Sequence, residues 1–180
     1  MVICPKTAPV GWWLSAGGVP EDLGFACTAQ PNDARALRVL DRVLPRGSQP
    51  VFIGDLDPMA LVQYVELARN LARKKRRLAY GGLDDTWLAA MRRHLARAQG
   101  LDVLRIPLDP DELRLLARLD RAINLDGLVG PHSAAMLRGG HKIEIEAATN
   151  PGLYGDGFGR WAFRHLRRVG LAQVRVGLRA

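Results

Sequence analysis

The sequence predicts an α/β domain on a mostly parallel sheet with helices on both faces. Short apolar, β-rich stretches alternate with amphipathic stretches of helical period through the first two thirds of the chain. The 180 residues, 48% of them hydrophobic and 24% charged, suffice for one domain with a sizeable core and are too few for two ordinary ones. The expected organisation is a single domain over 1–180. Its α/β core spans 1–108, and a helical, glycine-rich extension spans 109–180.

Each element carries its own signal. Met1–Cys4 is a short apolar strand. The following stretch to Leu14 is interrupted by Pro5, Lys6, Pro9 and Gly11. Beside Gly11, Trp12 and Trp13 form a candidate partner surface, because neighbouring exposed tryptophans are costly without a partner. Gly24–Ala29 is a second strand, and Pro31-Asn32-Asp33 is a turn and helix cap. Ala36, Leu37, Leu40, Val43 and Leu44 then recur at helical spacing until Pro45-Arg46-Gly47-Ser48 stops them. Val51–Gly54 reads as a buried strand. Pro58 suits the first turn of the next helix, with Leu61, Tyr64, Val65, Ala68 and Leu71 on one pattern. Leu78–Tyr80 is a fourth strand, Trp87–Gln99 a helix, Val103–Ile106 a fifth strand and Asp109–Ile123 a helix. Beyond that, Gly127–Gly140 is punctuated by glycine and places His132 and His141 in loops. Asn150–Gly159 is loop-like, and Arg160–Val169 is a basic helix.

Lys and Arg number 26 against 18 Asp and Glu, a net charge of +8 with a pI near 10.3, and 22 of the cations are Arg. Such an excess points to anionic partners, nucleic acid first and an acidic membrane surface second. No apolar run approaches the roughly 20 residues that span a bilayer. The start of the chain also lacks a basic-then-apolar signal pattern. The expectation is therefore a soluble, cytoplasmic protein with no membrane partner, nucleoid-associated if DNA-bound. Cys4 and Cys27 form no ligand cluster or disulfide framework and read as small core residues.

The strongest chemical signal is Val51-Phe52-Ile53-Gly54-Asp55-Leu56-Asp57-Pro58. A parallel strand ending in Asp-X-Asp presents two carboxylates where open α/β sheets bind ligands. Residues two apart face the same way in extended chain, so Asp55 and Asp57 converge on one cation. Hard oxygen ligands suit Mg2+ or Mn2+. The plain alternative is that the two acids only cap a turn. Haloacid-dehalogenase-type phosphatases share the motif, but Pro58 and Met59 replace their hydroxyl and tight glycine turn. Nucleotide-sugar transferases and Toprim domains share it too.

The flanks favour Toprim. Thr28-Ala29-Gln30-Pro31, a helix bearing Arg35, and the Gln49–Pro58 segment resemble, in that order, the topoisomerase VI A subunit and its meiotic strand-break relatives. Tyr80-Gly81-Gly82-Leu83 sits where that family has a strand followed by Gly-Leu. Leu137-Arg138-Gly139-Gly140-His141-Lys142-Ile143-Glu144-Ile145-Glu146-Ala147 is similar to the family's closing Gly-X-Lys-X-Glu-X-X-Ala segment. The resemblance implies a Toprim-like (Rossmann-like) fold, Asp55 and Asp57 as catalytic metal ligands, and Lys142 and Glu144 as second-tier site residues. Two departures accompany it. The family's first-strand Glu falls on Cys4 or Pro5, with no acid before Glu21. The family's attacking tyrosine lies in a separate domain, and Tyr64, Tyr80 and Tyr154 have no such context.

For DNA, the densest basic run is Arg69, Arg73, Lys74, Lys75, Arg76 and Arg77, more cations than a helix terminus needs. Arg92, Arg93, His94 and Arg97 form a second patch. Arg160, Arg164, Arg167, Arg168, Arg175 and Arg179 form a third, beside Trp161 and Phe163, which read as packing residues before base-stacking ones. Together these residues describe a DNA-binding, Mg2+- or Mn2+-binding protein with weak or partner-dependent phosphodiester cleavage. A partner subunit or homodimer would complete it. The alternative is a catalytically inactive Toprim module that clamps DNA or docks a partner. A small-molecule phosphatase or sugar-nucleotide enzyme is the third reading.

Overall fold

The structure, a computed structural model, describes residues 1–16, 19–30, 32–45, 47–95, 100–150, 153–154 and 157–177. It is mixed α/β. The chain forms two compact units, one comprising Met1–Ile53, Gln63–Gly81 and the chain from Arg160, the other Gly54–Val62 and Gly82–Gly159.

Among the described residues, the first unit holds β1 (Val2–Cys4), β2 (Phe25–Cys27), β3 (Val51–Phe52) and β4 (Ala79–Tyr80), all parallel in the order β2-β1-β3-β4. The helices are α1 (Thr7–Ala16), α2 (Ala34–Val43), most of α3 (Pro58–Ala72) and most of α9 (Gly157–Gly177). Adjacent residues of a strand face opposite sides, and β3 shows which helices cover which. Phe52 meets Tyr64 of α3, ring centroids 5.8 Å apart, and Tyr64 also meets Tyr80 of β4 at 5.1 Å. Val51 faces α9 instead, where it lies against Gly170 and Gly81, and Leu166 also borders Gly81. Helices thus flank both faces, as the alternating pattern predicts. Asp33 caps α2 by accepting the Arg35 and Ala36 N–H groups. Pro31 and Arg46 lie outside the described residues.

Two expectations for this unit are corrected, those for Trp13 and Cys27. Residues Thr7–Ala16, to which the sequence pattern assigns no element, are helical despite Pro9 and Gly11. Proline is tolerated in a first turn, and burial of Val10 and Trp13 supplies what propensity lacks. Trp13 is only 1% exposed, against Phe25 and Phe163. It is core, not a partner surface. Cys4 is buried, but Cys27 is exposed, because it stands on the edge strand β2.

The second unit is mainly helical: α4 (Asp85–His94), α5 (Pro110–Ala122), α6 (Leu125–Val129), α7 (Pro131–Arg138) and α8 (Ile145–Thr149), with a two-stranded antiparallel sheet of β5 (Ile106–Pro107) and β6 (His141–Lys142). Its core includes Leu56, Leu83, Trp87, Met91, Leu125, Val129, Leu137, Ile143, Ile145 and Phe158. The expected fifth strand is corrected here. Leu101–Leu104 is a 3-10 turn with Val103 63% exposed, and Ile106 pairs with Lys142 in a separate two-stranded sheet. Helix α4 ends at His94, where Leu95 bridges to Tyr154, and 96–99 lie outside the described residues. Gly127–Gly140 is helical rather than loop. Gly127 stands within α6, and Gly130, at φ 88, is the hinge that lets α6 and α7 follow each other. His132 therefore sits on α7 and His141 on β6. Within the loop-like 150–159 stretch, 151–152 and 155–156 are not described, and α9 begins at Gly157, three residues before Arg160.

Candidate functional site

Asp55-Leu56-Asp57 follows β3 in the chain, and the segment opposite sets its geometry. Leu56 forms an antiparallel bridge with Ile143. The Leu56 N–H donates to the Ile143 carbonyl at 2.9 Å, and the Ile143 N–H returns to Leu56 at 3.3 Å. Both side chains are fully buried. Because extended residues alternate faces, burying this pair turns Asp55 and Asp57 to the other side. The register then sets Lys142 opposite Asp57 and Glu144 opposite Asp55. Four residues singled out in the sequence meet within one unit.

Each aspartate also has a backbone task. Asp57 Oδ1 accepts the Ala60 N–H at 2.6 Å and so caps the first turn of α3, which Pro58 opens. Asp55 Oδ1 accepts the Ile145 N–H at 2.8 Å, at the start of α8. The turn-capping role is therefore real, and it holds the carboxylates in place. They are 8% and 9% exposed. Burial pushes the Asp57 carboxyl up to about 6. Asp55 and Glu112 push it the same way, while the Ala60 N–H and Lys142 oppose.

Glu112 is the site residue that sequence reasoning misses. It is the third residue of α5, where a capping box ties its Oε2 to the Asp109 N–H at 2.9 Å. The Asp109-Pro110-Asp111-Glu112 pattern announces the cap. It says nothing of the other oxygen, Oε1, which accepts the Lys142 ammonium at 2.5 Å. Each of these two side chains is 18% exposed. This contact, and then Asp57 and Glu144, raise the Lys142 ammonium above its ordinary range.

Asp57, Glu112 and Glu144 thus act on the Lys142 ammonium, and Asp55 acts on Asp57, in a chain of net charge +8. Hard oxygen donors with excess negative charge fit Mg2+ or Mn2+. Among the described residues no three His, Cys, Asp or Glu side chains form a ligand cluster. Asp55 and Asp57 are the two residues that would hold such a cation. The carboxyl end of β1 carries buried Cys4 and then Pro5, and no acid.

The basic candidates separate by role. Arg69 is on α3, whereas Lys75, at φ 57, is in the left-handed turn that ends it. Arg76 donates to the Leu44 and Pro45 carbonyls at 3.3 Å and so closes the end of α2. Lys74 pairs with Asp41 at 3.0 Å and Arg167 with Asp22 at 2.9 Å. Arg69, Arg73, Lys75, Arg77, Arg164 and Arg168 are exposed, as are Arg92 and Arg93 on α4. Arg97, Arg179 and the Arg175 side chain lie outside the described residues. Phe163 is buried, and the half-buried Trp161 stacks on His165 at 5.1 Å, so both pack. His94 packs against Phe158.

By sequence, the first unit holds 17 Lys and Arg against 5 Asp and Glu, and the second 9 against 13. Among the described residues no helix is long and apolar enough to cross a membrane. No protein-family model matches the chain, and no curated protein matches its sequence.

Proposed function

We propose that this chain is a DNA-binding, Mg2+-binding protein of Toprim-like design whose Asp55–Asp57 pair supports phosphodiester cleavage, weak alone or completed by a partner subunit. The observation that carries the reading is the Leu56–Ile143 register, which gathers Asp55, Asp57, Lys142 and Glu144 on one side of a paired segment. When bound, the cation would neutralise the scissile phosphate and stabilise charge on the leaving oxygen. The residues of the chain do the rest. The Ala60 and Ile145 N–H groups fix the two carboxylates before any ligand arrives. The Lys142 ammonium supplies a fixed positive charge for a phosphate oxygen. The strongly basic first unit, with Arg69, Arg73, Lys75, Arg77, Arg164 and Arg168 exposed, would hold the DNA backbone. A cytoplasmic, nucleoid-associated location accompanies this reading.

One observation favours a second reading. With Cys4 and Pro5 where the family has Glu, the proton-transfer group is absent from β1, as in an inactive clamp. Supercoiled plasmid incubated with Mg2+, Mn2+ or chelator decides between them. Nicking that needs the metal and disappears in Asp55→Asn/Asp57→Asn supports the enzyme. Salt-sensitive retention of plasmid without nicking, equal in wild type and variant, supports the clamp.

A further inference from the structure

We infer that duplex DNA lies on the outward face of α2 and α3, with Arg35, Arg38 and Arg42 of α2 as phosphate contacts, a placement that rests on the DNA-binding reading above. Phe52 of β3 faces α3 and Val51 faces α9, so these two helices cover opposite sides of the parallel sheet. Helix α2 lies on the α3 side. Asn32, just before α2, donates to the Gln63 carbonyl at 3.1 Å and to Glu66 at 3.0 Å. Asp41, near the end of α2, pairs with Lys74, just past the end of α3, at 3.0 Å. The two helices therefore run side by side in the same direction, at the roughly 8–10 Å spacing of packed helices. Leu40 and Leu44 are buried on one side of α2, and Arg35, Arg38 and Arg42 are exposed on the other, at i, i+3 and i+7. Arg69 and Arg73 form a second exposed row on α3, which Lys75 and Arg77 continue.

Stretches 32–45 and 58–77 hold nine Lys and Arg against three Asp and Glu. Those acids have other tasks: Asp33 caps α2, Asp41 binds Lys74 and Glu66 accepts Asn32. Helix α2 has no aromatic residue, and Tyr64 of α3 is half-buried against Phe52 and Tyr80. Two rows of cations without a stacking ring suit the phosphates of a duplex, not the unstacked bases of a single strand. On the other side of the sheet, α9 offers one exposed row, Arg160, Arg164 and Arg168, and α1 has no charged residue. A straight duplex cannot follow both sides of a sheet. The side with two rows makes the contacts, and the α9 row adds long-range attraction.

Fluorescence anisotropy with a labelled duplex at several salt concentrations, in chelator, tests this. The proteins are wild type, Arg35→Gln/Arg38→Gln/Arg42→Gln, the same three positions changed to Lys, and Arg160→Gln/Arg164→Gln/Arg168→Gln. Gln keeps helix propensity while removing charge. The α2 Gln triple lowers the slope of log affinity against log salt by about 2–3 and weakens binding at least about tenfold. The Lys triple keeps the charge and stays within about 1 of the wild-type slope, and the α9 triple lowers the slope by less than about 1. If the α2 Gln triple does not fold, each single Arg→Gln change lowers the slope by about 1 instead. A loss in the α9 triple equal to or larger than that in the α2 triple would overturn the placement. So would tighter binding of a single strand than of the duplex. An α2 triple that keeps its duplex affinity but no longer binds phosphatidylserine vesicles would overturn it in favour of a membrane surface. If wild type shows no salt-sensitive duplex binding, the DNA-binding reading falls and the placement with it.

Discussion

Asp57 is nearly buried beside another carboxylate, and its ionisation at neutral pH costs the fold stability. Its carboxyl is pushed up to about 6, mainly by burial. The native state therefore binds this proton more tightly than the unfolded chain, whose aspartates titrate near 4. The sign follows from linkage: the stability that the group contributes is complete below about pH 4 and is lost as pH rises through about 6. In chelator, Asp57→Asn should remove this loss while keeping the cap on Ala60. The expected result is a higher melting temperature than wild type at pH 7.5 and a flatter profile between pH 4 and 7. A gain of about 1 kcal/mol is a rise of roughly 2–4 °C in a chain of this size. Mg2+ should raise the melting temperature of wild type and not that of the variant. Thermal melts across pH, with and without metal, check both statements.

At the scale of elements, α7 is capped by a neighbouring helix. Asp85, in the first turn of α4, accepts the Ser133 N–H at 2.7 Å, the Ser133 hydroxyl at 2.8 Å and the His132 N–H at 3.1 Å. Burial works against ionisation of Asp85, but these hydrogen bonds outweigh it and hold the carboxyl below its usual range. The cluster contains Asp, His and Ser, yet the hydroxyl donates to the carboxylate rather than to imidazole, so it ties helices together instead of activating a nucleophile. Asp85→Ala should cost about 1–2 kcal/mol, the range for a lost cap. Gly130→Ala should cost at least about 1 kcal/mol, because its φ of 88 disfavours a side chain and an added Cβ would collide with the Asp85 carboxylate. Urea unfolding of the two variants measures these losses. Arg138 does similar work from α7, donating to Asp120 at 2.8 Å and to Asp126 at 2.7 Å and so tying α5 and α6 to it.

At the scale of the whole molecule, charge is segregated. Most of the cations belong to the unit that contains the parallel sheet, and the acidic excess belongs to the unit that contains the aspartate pair. If the first unit carries DNA affinity, binding should weaken steeply with salt, because phosphate contacts release counterions. Arg73→Ala, Lys75→Ala and Arg77→Ala should each lower the slope of log affinity against log salt by about 1 where they touch a phosphate. Arg76→Ala should instead destabilise the protein, because Arg76 closes α2. Fluorescence anisotropy at several salt concentrations, beside melts of the same variants, separates the two roles.

The sequence by itself determined the α/β class, the Asp33 and Asp109 caps, and the boundaries of α2, α3 and α5. These are local properties: hydrophobic period, cap chemistry and strand-end spacing act over a few residues and survive in any environment. Only the tertiary structure decided the rest. That Trp13 is core while Cys27 is exposed depends on which helix covers which strand. That Ile106 pairs with Lys142, and not with the parallel sheet, depends on a partner 36 positions away. The presence of Glu112 at the site depends on one bridge, Leu56 with Ile143, and on where α5 starts beside β6. A carboxylate's pKa and an ammonium's partner are set by burial and by distance, and a linear pattern contains neither.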